Sequence, residues 1–538
     1  MLRSCPKIHF SSGSLERVPD MPKAHREQWA TRSGFLLAAI GSAVGLGNIW
    51  RFPYVAYESG GGAFLVPYLI ALLTAGIPLL ILSYSIGHRF RASPPVALRR
   101  LSRPAEAIGW WQVLISFFIA IYYAVIIAWA VRYAGFSIGQ QWGAEPGSFF
   151  QESFVGITEA GDFGTYNIGV AVPLVAVWVV VLLLLGFGVR RGIEVANKIF
   201  MPLLLLLFGA LVVRAVTLEG AGTGLEALFA PDWSALADGS VWVAAYGQIF
   251  FSLSIGFGIM ITYASYLRRK ADLTGTALVA GFANSSFELL AGIGVFSALG
   301  FMAVQSGVAV QDVAAGGIGL AFVAFPQIIS TMPAGDVFGV LFFVSLVVAG
   351  LSSLISIVQV VVGAVQDRFG VGRVPAVAVV GGATAVVSIV LFPAGQGLFL
   401  LDTIDHWINQ YGIALASLVL VVVVAWALRA LPSLQRYTDA ISSVPLRGWW
   451  IAALGVITPV VLGFMMYDSL KAEFSAPYED YPQWFLNAAG WGVAGGVIVV
   501  SVLLTAVLWK RDVGTAEDDL ERERQESAAG RAAGEGDV

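Results

Sequence analysis

The sequence predicts an all-α membrane protein with twelve transmembrane helices, and three observations support this fold class. The 538 residues are 57% hydrophobic and only 12% charged, with a mean hydropathy of +0.79, whereas soluble domains carry about 25% charged residues. Apolar runs of about 18 residues or more, the length that crosses a bilayer, recur along the whole chain. Two of these runs, at 41–53 and 251–258, are interrupted by glycines and polar residues.

The apolar runs predict twelve spans, taken in order along the chain. Their approximate ranges are 33–57, 62–87, 108–136, 168–186, 195–216, 241–267, 275–303, 336–366, 375–393, 400–429, 448–468 and 484–509. The predicted parts of the chain are a cytoplasmic N-terminal segment (1–30), a first five-helix repeat (31–216), a second, inverted five-helix repeat (241–430), helices 11 and 12 (446–509) and a disordered cytoplasmic tail (510–538).

The N-terminal segment and the cysteine content restrict the interpretation further. Residues 1–20 are polar and lack a signal-peptide pattern, and Met21 is an alternative start of translation to Met1. The single Cys5 excludes an intramolecular disulfide and a cysteine-based metal site.

The distribution of basic residues predicts a multi-pass protein of the plasma or inner membrane with both termini in the cytoplasm. Lys and Arg concentrate in the loops after even-numbered spans, and loops of this kind stay on the cytoplasmic side. The opposite loops at 137–167 and 217–240 contain acidic residues and no Lys or Arg. The basic residues are Arg89, Arg91, Arg99, Arg100 and Arg103 after span 2, Arg190 and Arg191 after span 4, and Arg268, Arg269 and Lys270 after span 6.

The first span is predicted to be a broken helix. Residues 41–53 contain three glycines, Asn48 and Arg51, although a glycine costs about 1 kcal/mol of helix stability and a charge at mid-bilayer costs at least ~2.5 kcal/mol. Irregular backbone at this depth is tolerated only where it lines a cavity or is buried in protein. The break therefore predicts free carbonyl groups that can bind a cation.

Span 6 contains a second interruption, Ser-Leu-Ser-Ile-Gly-Phe-Gly at 252–258. Broken helices thus open spans 1–5 and spans 6–10, and because five is odd the second set starts from the other side of the membrane. This arrangement is typical of an inverted repeat with substrate and ion sites at mid-membrane. The alternative is that the glycines are helix-packing contacts, since Gly41 and Gly45 also fit a small-xxx-small pattern.

Several motifs, in order and at consistent spacing, resemble the neurotransmitter:sodium symporter family, in particular its prokaryotic amino-acid transporters. The matching segments lie at 26–32, 43–48, 51–53, 58–64, 121–123, 247–251, 262–266, 284, 349–353 and 401–405. They cover the chain from about residue 23 to 410 and are far more specific together than any single motif. The resemblance implies a Na⁺-coupled symporter that works by alternating access.

The resemblance implies two sodium sites built from oxygen ligands, which hard cations prefer. The first site consists of the Ala43 carbonyl, the Asn48 and Asn284 side chains, and Ser252, with the substrate carboxylate as a further ligand. The second site consists of the carbonyls of Gly41, Val44 and Ala349 and the hydroxyls of Ser352 and Ser353. For the two serines the alternative is a pair that bonds back to its own helix.

The resemblance also implies a substrate site between the broken helices. The carboxylate is expected at the amides of Leu46 and Gly47, since helix N-termini favour anions, and at the Tyr123 hydroxyl. The amino group is expected at carbonyls near Ala43, Phe251 and Ser254. Gly45 replaces the aspartate of monoamine-carrying relatives, which favours a neutral, apolar amino acid over a biogenic amine. The expected lining of the side-chain pocket is Ile119, Phe251, Ser254, Phe257, Ser353 and Ile357.

Gating residues are implied in the same way. Arg51 and Asp405 are expected to pair across the outer vestibule, with Gln248 beside them and Tyr123 and Phe257 as a thin lid. Arg26 and Asp367 are expected to pair at the cytoplasmic side, near Trp29 and Tyr266. Gly192 and Pro202 are expected to let span 5 unwind for the inward release of sodium. For each single charge the alternative is a solvated loop position.

Two further positions bear on charge. Asn284 and Glu288 are four residues apart on span 7 and share one helical face, so a carboxylate lies near the first sodium site. Chloride-dependent animal relatives have serine at position 288; the fixed charge of Glu288 therefore predicts chloride-independent transport, with proton antiport as an open alternative. Ser83 stands where relatives have a glutamate that supports the span-6 break, which leaves that local network undetermined.

Other classes of function remain as alternatives. An intramembrane enzyme would need convergent titratable groups, yet all four histidines lie at termini or span ends, so no catalytic activity is expected. A transporter of another small zwitterionic solute, and a sensor or channel on the same fold, stay open. The expected partners are the amino acid, Na⁺ (two coupling ions, with no organic cofactor) and membrane lipid, without nucleic acid; the oligomeric state, including a homodimer, stays undetermined.

Overall fold

The structure is a computed structural model that describes residues 27–313, 316–475 and 477–507. Arg26, the alternative start at Met21 and the predicted tail at 510–538 lie outside the described residues. Within the described ranges the chain is helical throughout, with no extended strand.

Ten of the predicted spans are single long apolar helices. They are Gly62–Phe90, Arg103–Phe136, Ile168–Gly186, Val189–Val216, Leu273–Ser306, Gly335–Phe369, Arg373–Leu391, Gly397–Ala427, Arg447–Asp480 and Gln483–Ala506, which are spans 2–5 and 7–12. Spans 1 and 6 are the two broken ones, as the glycine-rich runs predict. The described part of the chain therefore confirms the fold class: an all-α membrane architecture in which the broken spans open each set of five.

Span 1 consists of Arg32–Ala43 and Leu46–Glu58, which meet at an angle of 53°. The first half starts at Thr31, whose side chain accepts a hydrogen bond from the Gly34 amide at 3.0 Å. At the break, Val44 and Gly45 have extended backbone. The Gly45 amide donates to the Asn48 side chain at 2.8 Å, so one freed group of the break is satisfied inside the protein, as it must be at this depth.

Span 6 consists of Gly239–Ser252 and Ile259–Ala264, joined by an unwound segment. Gly256 and Gly258 have φ angles of 91° and 80°, a region that favours glycine because it lacks a Cβ atom. The Phe257 carbonyl accepts a hydrogen bond from Ser116 of span 3 at 2.7 Å. Ser83 is buried, and in this chain it is Ser116 that holds the unwound segment at Phe257.

Small residues let the long spans pack closely around the broken ones. Gly350 of span 8 lies against Ile127 of span 3, so that a Cβ atom at position 350 would come within 2.6 Å of the isoleucine side chain. The Ser388 hydroxyl of span 9 donates to the Ile121 carbonyl of span 3 at 2.6 Å. Spans 3, 8 and 9 are thereby held together beside the two breaks.

Asp272 joins three elements at the N-terminal ends of spans 1 and 7. It caps span 7 by accepting from the Gly275 amide at 2.9 Å, it accepts from the Ser443 hydroxyl at 2.6 Å, and it pairs with Arg32 at 3.1 Å. Partial burial alone would raise the pKa of the Asp272 carboxyl, but the hydrogen bonds from Ser443 and Gly275 and the charge of Arg32 together lower it below its usual value.

Replacement of this cap is expected to destabilise the protein. We expect Asp272→Ala to lower the thermal unfolding temperature in detergent, since loss of an N-cap costs about 1 kcal/mol. Because the folded-state pKa is depressed, the carboxylate stabilises the fold above the unfolded-state pKa of about 3.9 and loses this effect as the pH falls through the folded-state pKa. Asp272→Asn should therefore resemble wild type more closely at low pH than at pH 7.

Asp468→Ala is the matched control, because Asp468 is an exposed aspartate of span 11. Equal unfolding temperatures for the Asp272→Ala, Asp468→Ala and unaltered proteins at pH 7 would contradict the role of Asp272 as a cap.

Candidate functional site

A cavity lies between the two breaks and opens towards one end of the helix bundle. Its volume is about 480 Å³. The eleven residues predicted to contact substrate all line it: Ala43, Leu46, Gly47, Ile119, Tyr123, Phe251, Ser252, Ser254, Phe257, Ser353 and Ile357. Towards the opening the lining continues to Asp402, Asp405, Asn409, Glu479 and Tyr481. The structure thus brings residues from five separate spans into one space.

The polar end of the cavity is the start of the second half of span 1. The Leu46 amide donates a hydrogen bond to the Tyr123 hydroxyl at 3.3 Å. A Cβ atom at Gly45 would come within 3.0 Å of both the Tyr123 hydroxyl and the Ser353 hydroxyl. At Gly47 it would come within 2.1 Å of the Phe251 ring. Glycine at both positions keeps the helix N-terminus open to the cavity.

The predicted ligands of the first sodium site form one buried cluster. The Asn48 amide donates to the Asn284 side-chain oxygen at 2.9 Å, and the Asn284 amide donates to the Ser252 hydroxyl at 3.1 Å. All three side chains are at most 2% exposed. Three elements distant in sequence therefore present amide and hydroxyl oxygens at one point beside the cavity.

The predicted ligands of the second sodium site lie where spans 1 and 8 meet. The Ser353 hydroxyl lies 3.4 Å from both the Gly41 and the Ser42 carbonyls. Val44 has left the helical conformation, and Ala349 and Ser352 are fully buried on span 8. Ser352 donates to the Asn197 side chain of span 5 at 2.6 Å, a contact that the sequence analysis did not anticipate.

Glu288 lies one turn from Asn284 on span 7 and is fully buried. Its carboxylate accepts from the Tyr68 hydroxyl and from the Gln248 amide at 2.6 Å. The Gln248 amide therefore satisfies the buried carboxylate, and its place beside the outer gate stays a prediction. Tyr68 of span 2 was missed, because an aromatic residue in an apolar run carries no distinguishing signal.

The predicted outer pair of Arg51 and Asp405 is not formed. No ion pair joins them within the described residues; the Arg51 guanidinium lies over the Phe251 ring at 4.7 Å. Asp405 accepts from the Tyr122 hydroxyl at 2.6 Å and from the Asn409 amide at 2.8 Å. The physical reason is that the cavity is open on this side. Arg51 and Asp405 are therefore separated, and each contacts other residues.

On the other side of the membrane the path from the cavity is closed by packed side chains. The Trp29 indole donates to the Tyr263 carbonyl at 2.9 Å, and the Gln359 amide donates to the Tyr266 hydroxyl at 2.9 Å. Asp367 accepts from the Ser93 amide at 2.6 Å. Because Arg26 lies outside the described residues, its pairing with Asp367 stays a prediction.

An ion pair between Arg373 and Glu27 lies on the same side. The sequence analysis did not anticipate it. Arg373 donates to Glu27 at 2.7 Å and to the Gln359 side-chain oxygen at 2.7 Å. Arg373 follows span 8, and Glu27 lies in one of the matching segments, but neither residue alone distinguishes a gate from a solvated loop charge. Their pairing depends on the packing of spans 1, 8 and 9.

The comparison with known proteins decides which family of proteins this chain belongs to. The family model of the sodium:neurotransmitter symporter family matches residues 26–146 and 144–511. The chain belongs to this family. This symporter therefore shares the sodium dependence of the family. It is a multi-pass membrane transporter, which agrees with its long apolar helices.

Individual members support the assignment. A sodium-dependent transporter of Methanocaldococcus jannaschii is 40% identical over 91% of this chain and 99% of its own length. The mouse sodium- and chloride-dependent neutral and basic amino acid transporter B(0+) is 30% identical over 91% of this chain and 86% of its own. The crystal structure of MhsT in complex with L-phenylalanine, 33% identical, matches with a TM-score of 0.70 over 82% of this symporter and all of MhsT.

We expect Arg51→Ala to abolish uptake by this symporter while leaving it folded. The guanidinium is the cation predicted to pair with Asp405 when the outer side closes, and in this structure it lies over the face of the Phe251 ring. Uptake of labelled neutral amino acids into proteoliposomes measures the effect, and size-exclusion chromatography checks the fold.

Arg132→Ala is the matched control, because Arg132 makes a similar contact with the Phe136 ring at 4.6 Å away from the cavity. Near-normal uptake by the Arg51→Ala variant would remove Arg51 from the gate.

Proposed function

We propose that this chain is a Na⁺-coupled symporter of neutral, hydrophobic amino acids that works by alternating access. The observation that carries the proposal is the cavity: it has a helix N-terminus at one end, apolar walls, and predicted sodium ligands on two sides. The distribution of loop charges supports a position in the cell membrane with both termini in the cytoplasm. The oligomeric state, including a homodimer, is left to experiment.

The polar end of the cavity fits the two charged groups of an amino acid. The amides of Leu46 and Gly47, together with the Tyr123 hydroxyl, would bind the carboxylate, because the N-terminus of a helix carries partial positive charge. Carbonyl groups near Ala43 and Ser254 would accept from the amino group.

The remaining walls fit an apolar side chain. Ile119, Phe251, Phe257 and Ile357 contribute only hydrocarbon and aromatic surface to the lining, and burial of such surface is favourable by about 25 cal/mol per Å². MhsT, the related structure, was crystallised with L-phenylalanine, which is a ligand of this type. Gly45 argues against a biogenic amine, because it offers no carboxylate to pair with an amine that lacks its own.

Two sodium ions are proposed, one in each group of ligands. In the first group the substrate carboxylate would complete the coordination of the ion, so each supplies the counter-charge of the other. This mutual dependence gives coupling a physical cause: neither the ion nor the zwitterion is well accommodated alone in a low-dielectric site.

Glu288 supports transport without chloride. A fixed carboxylate adjacent to Asn284 supplies the negative charge that balances sodium, held by hydrogen bonds from Tyr68 and Gln248. An ionised carboxylate is costly to leave in the membrane once sodium has departed. Proton antiport on the return step is therefore included in the proposal.

The direct test is accumulation. We expect the purified protein in proteoliposomes to concentrate labelled phenylalanine or leucine under an inward Na⁺ gradient and to stop when the gradient is collapsed. A channel would only equilibrate the solute, and a sensor would bind without uptake.

Gly45→Asp should lose binding of these amino acids, because its carboxylate would lie beside the Tyr123 and Ser353 hydroxyls, whereas Gly45→Ala should lose less. Tight binding of a biogenic amine alone would overturn the substrate class.

Chloride dependence tests the role of Glu288. We expect uptake by the unaltered protein to continue when chloride is replaced by gluconate, and uptake by Glu288→Ser to require chloride, because the serine variant lacks the fixed negative charge. Glu226→Ser, a change at an exposed glutamate, is the control. A Glu288→Ser variant that is indifferent to chloride would exclude charge compensation by this residue.

Alkalinisation of the vesicle lumen during uptake would support proton antiport.

A further inference from the structure

Asn197 is an amide residue near the start of the apolar span 5, and its side chain is fully buried. A polar group in this position is costly unless its hydrogen bonds are satisfied. Both ends of the amide have partners: the nitrogen donates to the Ile193 carbonyl at 2.9 Å, and the oxygen accepts from the Ser352 hydroxyl at 2.6 Å. Asn197 therefore connects its own helix to span 8.

The contact lies directly behind the proposed second sodium site. A Cβ atom at Gly41 would come within 2.4 Å of the Ser352 oxygen and 2.5 Å of the Asn197 oxygen. Gly41, Ser352 and Asn197 thus meet at one point, where three spans converge. Gly41 contributes a carbonyl to the proposed site and Ser352 a hydroxyl, whereas the Asn197 oxygen is taken up by the Ser352 proton.

The hydrogen-bonding chemistry of a serine ligand indicates what this contact does. A hydroxyl coordinates a cation through its oxygen lone pairs, so its single hydrogen must point away from the ion. A serine in a helix usually directs that hydrogen to a carbonyl of the preceding turn of its own helix. In this chain the Asn197 oxygen takes it instead, and the bond from the Asn197 nitrogen to Ile193 fixes which end of the amide faces Ser352.

We propose that Asn197 is a positioning residue for the second sodium site, which orients the Ser352 hydroxyl and ties the site to the start of span 5. This inference rests on the proposed function, because it presupposes that Ser352 binds sodium. Partners that hold the ligands of a metal ion commonly change its affinity by about 10- to 100-fold when they are removed.

The other end of Asn197 contacts the segment around Gly192, at which span 5 is expected to unwind for sodium release. Ile193 ends a wide π-helical turn, Val189–Ile193, and Gly192 in this turn is packed so tightly that a Cβ atom would come within 1.8 Å of the Leu184 carbonyl. Any movement of this turn that withdraws the Ile193 carbonyl would free the Asn197 amide to rotate. Sodium affinity would then fall as the cytoplasmic end of span 5 opens.

Equilibrium binding of radioactive sodium to the purified protein, without amino acid, tests the proposal. We expect Asn197→Ala to raise the dissociation constant of one class of bound sodium by about 10-fold or more, as for other partners of metal ligands. Asn197→Asp keeps an acceptor oxygen, and should bind sodium as tightly as the unaltered protein or more tightly. At saturating sodium, the affinity of all three proteins for labelled phenylalanine should be the same.

Thr384→Val is the matched control, because the buried Thr384 also makes a hydrogen bond to its own helix, to the Val380 carbonyl at 2.8 Å, on span 9, which contributes none of the proposed sodium ligands. Unchanged sodium binding by Asn197→Ala, or equal weakening by Asn197→Ala and Asn197→Asp, would overturn the positioning role while leaving the proposed function intact. Absence of sodium binding by the unaltered protein would overturn both.

Discussion

The constraint on which the structure depends is that every backbone polar group inside a membrane must be satisfied within the protein. Spans 1 and 6 violate the simplest solution, an unbroken helix, at the same depth. The groups freed at the breaks are therefore either held by neighbouring side chains or left facing the cavity. Asn48 and Ser116 hold groups at the two breaks, and the remaining amides and carbonyls form the polar end of the proposed site.

The same constraint explains where the buried charges lie. Glu288 lies beside a cluster of amide and hydroxyl groups, and two hydrogen-bond donors satisfy its carboxylate within the protein. Asp405 lines the cavity and accepts from Tyr122, whereas Arg51 lies over the Phe251 ring. Closing the outer side would exchange these local contacts for one ion pair, which suits a gate that must open again.

The two sides of the membrane are controlled by contacts of different kinds. On the open side of the cavity polar groups face an open space, whereas on the other side Trp29, Tyr266 and Gln359 are packed and hydrogen-bonded, and Arg373 pairs with Glu27 there. Asn197 joins Ser352, a proposed sodium ligand, to the start of span 5. A single side chain thereby connects the proposed ion site with span 5.

The sequence by itself determined the all-α membrane class and the two breaks and, through its resemblance to a family, the residues that line the cavity, because hydropathy, glycine content and local motifs are properties of short segments. Only the tertiary structure decided which polar groups pair. It placed Gln248 on Glu288, kept Arg51 from Asp405 and brought Asn197 to Ser352, since those partners lie on different spans. Their pairing depends on helix packing and on which side of the cavity is open, and a linear pattern encodes neither.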